Sequence, residues 1–159
     1  MSEKEAFSSA FLDDYFAECD EHLTTVRREL LALESSVGQP APDRERLESL
    51  FRAFHSIKGL SGMVGLQEAE QLAHALESYL RALRQGEVVL TQGGMEAAMV
   101  ATRTLEQVIG AFRERVLIPD IASAISRLEE VRPSPVPLPS PPVPEEALPV
   151  PSAFPELPD

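Results

Sequence analysis

The sequence is poor in several things at once. It has one cysteine, Cys19, among 159 residues, so no intramolecular disulfide framework can staple it, and a reducing compartment is compatible with that. Cations are few: 14 Lys and Arg against 26 Asp and Glu leave a net charge of −12. That balance argues against nucleic acid and anionic membrane surfaces as main partners and leaves proteins with basic or mixed surfaces. No apolar run is long enough to cross a bilayer. The start, Met1-Ser2-Glu3-Lys4-Glu5, lacks the basic opening and apolar core of a signal peptide. A cytoplasmic protein without membrane insertion is expected. There is no glycine-rich nucleotide loop, and no carboxylate cluster looks built to hold Mg2+. The chain is therefore expected to bind neither ATP nor a metal by itself.

What is present is helical periodicity. A first helix is expected from near Ser8 or Ser9, with Phe11, Leu12, Tyr15, Phe16, Cys19, Leu23, Val26, Leu30 and Leu33 on its apolar face. Cys19 lies in that face and reads as core filler. Gly38, Pro40 and Pro42 end it, and Asp43 caps a second helix that stops at Gly65. A third starts near Leu66 or Gln67 with Leu72, Ala73, Leu76, Leu80 and Leu83 inward. Its flank carries Glu70, His74, Glu77 and Arg81. Thr91 caps a fourth, from about Gln92 to Arg115, with Met95, Met99, Leu105 and Phe112 inward. Pro119 suits the first turn of a fifth. The expected fold is all-α: an antiparallel four-helix bundle with an additional C-terminal helix, over residues 1–132.

After Arg132 the composition changes. Eleven of the fourteen prolines fall between Pro133 and Pro158, so residues 133–159 are expected to be an extended, disordered linker. Its PxxP-like spacing also fits an SH3-type ligand, but a spacer is the preferred reading. A spacer is expected to lead into further sequence, which would make this the N-terminal piece of a longer protein.

The informative stretch is 51–65, Phe-Arg-Ala-Phe-His-Ser-Ile-Lys-Gly-Leu-Ser-Gly-Met-Val-Gly. Leu47, Leu50, Phe54, Ile57, Ser61 and Val64 form one helical stripe, which leaves His55 roughly 120° away, facing outward. Lys58, Gly59 and Gly62 sit beside it on the same face. Glycine inside a helix costs about 1 kcal/mol relative to alanine, so two glycines next to an outward histidine read as space for an approaching partner surface. A nucleophilic imidazole with an ammonium beside it suits phosphoryl transfer. A plain surface histidine beside a surface lysine is the competing reading. The short turn at Gly65 brings the second and third helices antiparallel, so His74 or Glu77 should come level with His55.

The run from Phe51 to Gly59 with Gly62, followed by Leu72-Ala73-His74-Ala75-Leu76-Glu77, resembles the histidine phosphotransfer (HPt) domain of chemotaxis-type sensor kinases, the CheA family. The likeness covers about Ser8 to Val131. Leu60-Ser61 stands where that family often has a pair of small residues. The resemblance implies that His55 is phosphorylated through Nε2, that Lys58 assists near the phosphoryl oxygens, and that Glu77 accepts a hydrogen bond from the ring Nδ1–H. It implies that His74 is a second histidine near the site, with Gly59 and Gly62 at the partner-docking face. A carboxylate at Nδ1 would fix the tautomer that leaves Nε2 free to attack. The implied partners are a separate ATP-binding kinase domain and response-regulator receiver domains, with ATP and Mg2+ held there. The alternatives are a free-standing HPt protein of another relay, a non-catalytic helical adaptor, and a metal-binding bundle using His55, His74 and Glu77. The last is disfavoured because these residues flank the core rather than line it.

Overall fold

Local capping chemistry sets the helix ends. The structure, a computed structural model, describes residues 2–132. Its helices are α1 (Glu3–Leu33), α2 (Arg44–Met63), α3 (Gln67–Arg84), α4 (Gln92–Glu114) and α5 (Ala122–Val131), with a 3-10 turn at Glu34–Ser36. No strand occurs among the described residues. α2 packs between α1 and α3, α4 closes the ring against α3 and α1, and α5 lies on α3 and α4. This is the expected all-α arrangement. The expected proline-rich linker, residues 133–159, lies outside the described residues. None of the described helices is long and apolar enough to cross a membrane.

Asp43 caps α2 by accepting from the backbone N–H of Glu45 and Arg46, and Thr91 caps α4 by accepting from Gly94. α1 begins earlier than the expected Ser8 or Ser9. Ser2 and Glu5 form a reciprocal capping box there, Ser2 N–H to the Glu5 carboxylate and Glu5 N–H to Ser2 Oγ. The first turns of α1 therefore overshoot the bundle, and Phe7 and Phe11 stay exposed, although the periodicity predicts Phe11 inward. Met99, also predicted inward, is at the bundle surface. α5 starts at Ala122, not at Pro119, because Asp120 accepts from the Ala122 N–H at 3.1 Å and opens the helix there.

The turn between α2 and α3 fixes how these two helices align. Leu66 N–H reaches Ser61 C=O at 2.9 Å and Gly65 N–H reaches Gly62 C=O at 3.2 Å. That pair of bonds is a Schellman closure, and it needs the left-handed φ of +77° that Gly65 adopts. Three residues thus reverse the chain and align α3 antiparallel to α2. Ser61 also ties α2 to α1, since its hydroxyl and that of Tyr15 lie 2.8 Å apart in the core. Cys19 is fully buried beside them, and burial pushes its thiol up to about 11. It is core filler in the structure too.

Tyr79, at the α3–α4 contact, is buried, and its hydroxyl has no hydrogen-bond partner. A Cβ on Gly94 would collide with that hydroxyl and stand 3.1 Å from Cζ of the ring. Gly94→Ala is therefore expected to cost about 1–3 kcal/mol through overpacking. In a Tyr79→Phe background the cost should fall without vanishing, because the ring carbon remains. Urea unfolding of the four proteins of this cycle measures the difference. Equal costs in both backgrounds would rule out the contact as the cause.

Candidate functional site

On α2 the buried stripe is Leu47, Leu50, Phe54, Ile57 and Ser61. The His55 side chain, off that stripe, is 63 % exposed. Its ring leans toward the N-terminus of its own helix, as helical side chains do. There it stacks on Phe51, with centroids 6.1 Å apart and planes 11° from parallel. In an antiparallel pair this lean carries the ring toward the later turns of α3, where Glu77 stands.

Glu77 is the centre of the site. His55 Nδ1 lies 2.9 Å from Glu77 Oε2. Lys58 Nζ donates to Oε1 at 3.0 Å, and Arg81 Nη2 donates to the same oxygen at 3.2 Å. The Glu77 side chain is only 2 % exposed, so the residue expected on the flank is a buried carboxylate. Burial pushes its pKa up, but the hydrogen bonds and charges of Lys58 and His55 outweigh that, and the group ends below its ordinary value. An ionised carboxylate can only accept. The hydrogen between Glu77 and the ring therefore belongs to Nδ1, and in the neutral ring the lone pair is on Nε2.

The other residues singled out by sequence fall in different places. His74 is exposed and lines a 390 Å3 groove between α3 and α5 with Gln71, Ser78, Ile125 and Glu129. It makes no hydrogen bond to His55. The lean of the His55 ring toward Phe51 takes it away from the earlier turn of α3 that carries His74. Gly59 is exposed, and a Cβ there would meet nothing within 4 Å. Gly62 is also exposed, but the Glu70 carboxylate covers one side: Oε2 would lie 2.5 Å from an added Cβ. Glu70 is the far end of a flexible chain and can swing aside. No three His, Cys, Asp or Glu side chains gather to hold a metal among the described residues.

Three contacts are ones that sequence reasoning misses. Arg81 falls on the α3 flank with no role in that reasoning, although its spacing of four from Glu77 is the spacing of a helical ion pair. Phe51 and Arg84 have no assignment near the site. Arg84 Cζ sits 4.7 Å and Arg81 Cζ 5.5 Å from the Phe51 ring centroid, on the ring that His55 stacks against.

The lowered pKa of Glu77 makes stability depend on pH in one direction. Unfolded, the group titrates near the ordinary glutamate value of about 4.3; folded, it titrates lower. Its contribution is fully present above the unfolded value and is lost as pH falls through the folded one. Glu77→Gln is therefore expected to be less stable than the parent at pH 7, with the gap closing below about pH 4. Melting temperatures of both proteins across that range check it; a constant gap would contradict the ionised carboxylate.

Comparison with known proteins places these residues in a family. The model of the Hpt domain matches residues 10–130. The chemotaxis protein CheA of Halobacterium salinarum is 36 % identical over 86 residues, 54 % of this chain and 12 % of the relative. CheA of Bacillus subtilis is 32 % identical over 99 residues, 62 % of this chain and 14 % of the relative. CheA of Salmonella typhimurium is 31 % identical over 115 residues, 72 % of this chain and 16 % of the relative. The chain thus spans 12 % to 16 % of the length of these three relatives. With most of α1, all of α2, α3 and α4, and α5 up to its last residue inside the matched residues, the chain belongs to the Hpt domain family.

Proposed function

We propose that this chain is the phosphocarrier domain of a chemotaxis-type two-component relay. In this reading His55 takes a phosphoryl group from ATP bound on a separate kinase domain and passes it to an aspartate of a response-regulator receiver domain. The observation that carries the reading is the Nδ1–Glu77 contact at 2.9 Å beneath an exposed ring. In the neutral ring it puts the lone pair on Nε2, on an exposed side chain, as in-line attack on phosphorus requires.

The chemistry follows from that geometry. The Nε2 lone pair attacks the γ-phosphorus, the bond from phosphorus to the bridging oxygen breaks, and ADP leaves with the electron pair. The imidazole becomes cationic as the N–P bond forms. Glu77 holds the Nδ1 proton and offsets that charge across a short, water-poor distance. Lys58, three residues after His55 on α2, is assigned to the phosphoryl oxygens, while its bond to Glu77 holds it beside the site at rest. In the second step a receiver carboxylate attacks phosphorus, the N–P bond breaks, and the pair returns to Nε2. Mg2+ and nucleotide belong to the partner domains in both steps. Gly59 is open ground one turn after His55 on α2 and is assigned, with Gly62, to the docking face. The groove that holds His74 leaves this histidine, at most, a place on the margin of that face.

His55→Gln is expected to lose all acid-labile phosphate incorporation from a CheA-type kinase domain and ATP, with the helical circular dichroism unchanged because the ring is exposed. Glu77→Gln removes a charge-assisted hydrogen bond of about 1.5–3 kcal/mol and should slow phosphorylation by about ten- to a hundredfold. Full incorporation by His55→Gln would sink the assignment.

Gly59 offers a separate check on the docking face. Gly59→Ala should raise stability by up to about 1 kcal/mol, since no neighbour obstructs the added methyl. Gly59→Gln should keep the fold and slow transfer, read as rate against melting temperature. Normal transfer in Gly59→Gln would remove Gly59 from the interface.

A further inference from the structure

Arg81 is the residue at this site that the reaction as described leaves unused. It stands four residues after Glu77 on α3, and its guanidinium donates to Glu77 Oε1 at 3.2 Å. Lys58 Nζ shares that oxygen from the opposite helix. The two oxygens of Glu77 are therefore divided: Oε1 takes both cations and Oε2 alone faces His55 Nδ1. A carboxylate held on one oxygen by an ammonium can still turn about its terminal bond, because an ammonium presents its hydrogens in any direction. A guanidinium N–H fixed in direction by its planar group and anchored within the same helix adds a directional bond to that oxygen, which resists the rotation. Arg81 does a second thing. Its Cζ lies 5.5 Å from the centroid of Phe51, the ring on which His55 stacks, and Arg84 lies 4.7 Å from it. The same guanidinium thus braces the two neighbours that orient His55, one at its edge and one at its face.

We propose that Arg81 is a positioning residue for His55: it holds the Glu77 carboxylate in the rotamer that keeps the proton on Nδ1 and Nε2 free. The proposal rests on the phosphotransfer reading for its consequence, but not for its first measurement. The Arg81 side chain is 45 % exposed, so its hold on the carboxylate is that of a partly solvated ion pair and not of a buried one.

The experiment separates the two readings. Ring nitrogen NMR of the nucleotide-free chain, with the ring neutral, reports the ratio of Nδ1–H to Nε2–H tautomers. In Arg81→Met that ratio should fall about two- to fivefold, the factor matching a partly exposed ion pair. The initial rate of phosphorylation should fall in proportion to the fraction of the Nδ1–H tautomer, because the Nε2–H tautomer has no lone pair at Nε2. Arg81→Lys, which keeps a cation but loses the fixed direction of the guanidinium N–H, should recover part of both. Melting temperatures of the three proteins show whether any loss follows unfolding, a course a merely structural role would take. An unchanged tautomer ratio in Arg81→Met, or a rate that does not follow the measured Nδ1–H fraction, overturns the proposal. Failure of the parent chain to accept phosphate on His55 would sink the phosphotransfer reading. The tautomer ratio, measured without nucleotide, would then decide alone for or against Arg81.

Discussion

A buried carboxylate without partners would be protonated or would destabilise the fold, because an unpaired charge loses its hydration and gains nothing. Glu77 stays ionised only because donors from two helices converge on it: His55 and Lys58 from α2, Arg81 from its own α3. Partner and tautomer are tied together by this requirement. In the proposed transfer, the charge that would stabilise the cationic ring is the same charge that needs the ring's N–H at rest. The site is thus an electrostatic balance that exists only when α2 and α3 are held in one register.

The rest of the bundle supplies that register. The left-handed Gly65 and the two bonds that close around it make the α2–α3 turn short, so ten residues back along α2 face twelve along α3. Tyr15 ties α1 to α2 through Ser61, one helical turn and a half beyond His55. Edge-to-face contacts of Tyr15 and Phe16 with Phe112 join α1 to α4. None of these groups touches His55. Their packing removes alternatives, since a core of this density does not slide by a fraction of a turn without opening voids. The exposed ring can then meet a partner's surface while its deep edge stays fixed.

Much of this is legible in local patterns. The period of the apolar residues locates five helices, and Asp43, Thr91 and Gly65 mark ends that the structure keeps. Where pattern and structure part, a competing local signal explains it. Ser8 and Ser9 have the chemistry of caps, but Ser2 with Glu5 is the complete capping box, and nothing forces the chain to break between them. Phe11 fits the apolar phase of α1 yet lies before the first buried residue of that helix, Tyr15, and stays exposed. Pro119 suits a first helical turn, but the Asp120 side chain opens α5 three residues later.

His55, its outward phase, Lys58 beside it and an antiparallel α3 bearing Glu77 and His74 all follow from periodicity and one glycine turn, because those depend on residues near each other in the chain. The sequence alone therefore determined the number of helices and which face carries the histidine. Which α3 residue meets the ring was decided only by tertiary structure. The His55 side chain leans toward Phe51, the helices lock in one axial register, and the ring falls on Glu77 while His74 is left in the groove under α5. Burial of Glu77, the bracing by Arg81 and the cover of Glu70 over Gly62 belong with that choice. Each depends on the distance between two helix surfaces, a quantity set by how every core side chain packs and written in no single stretch of the chain.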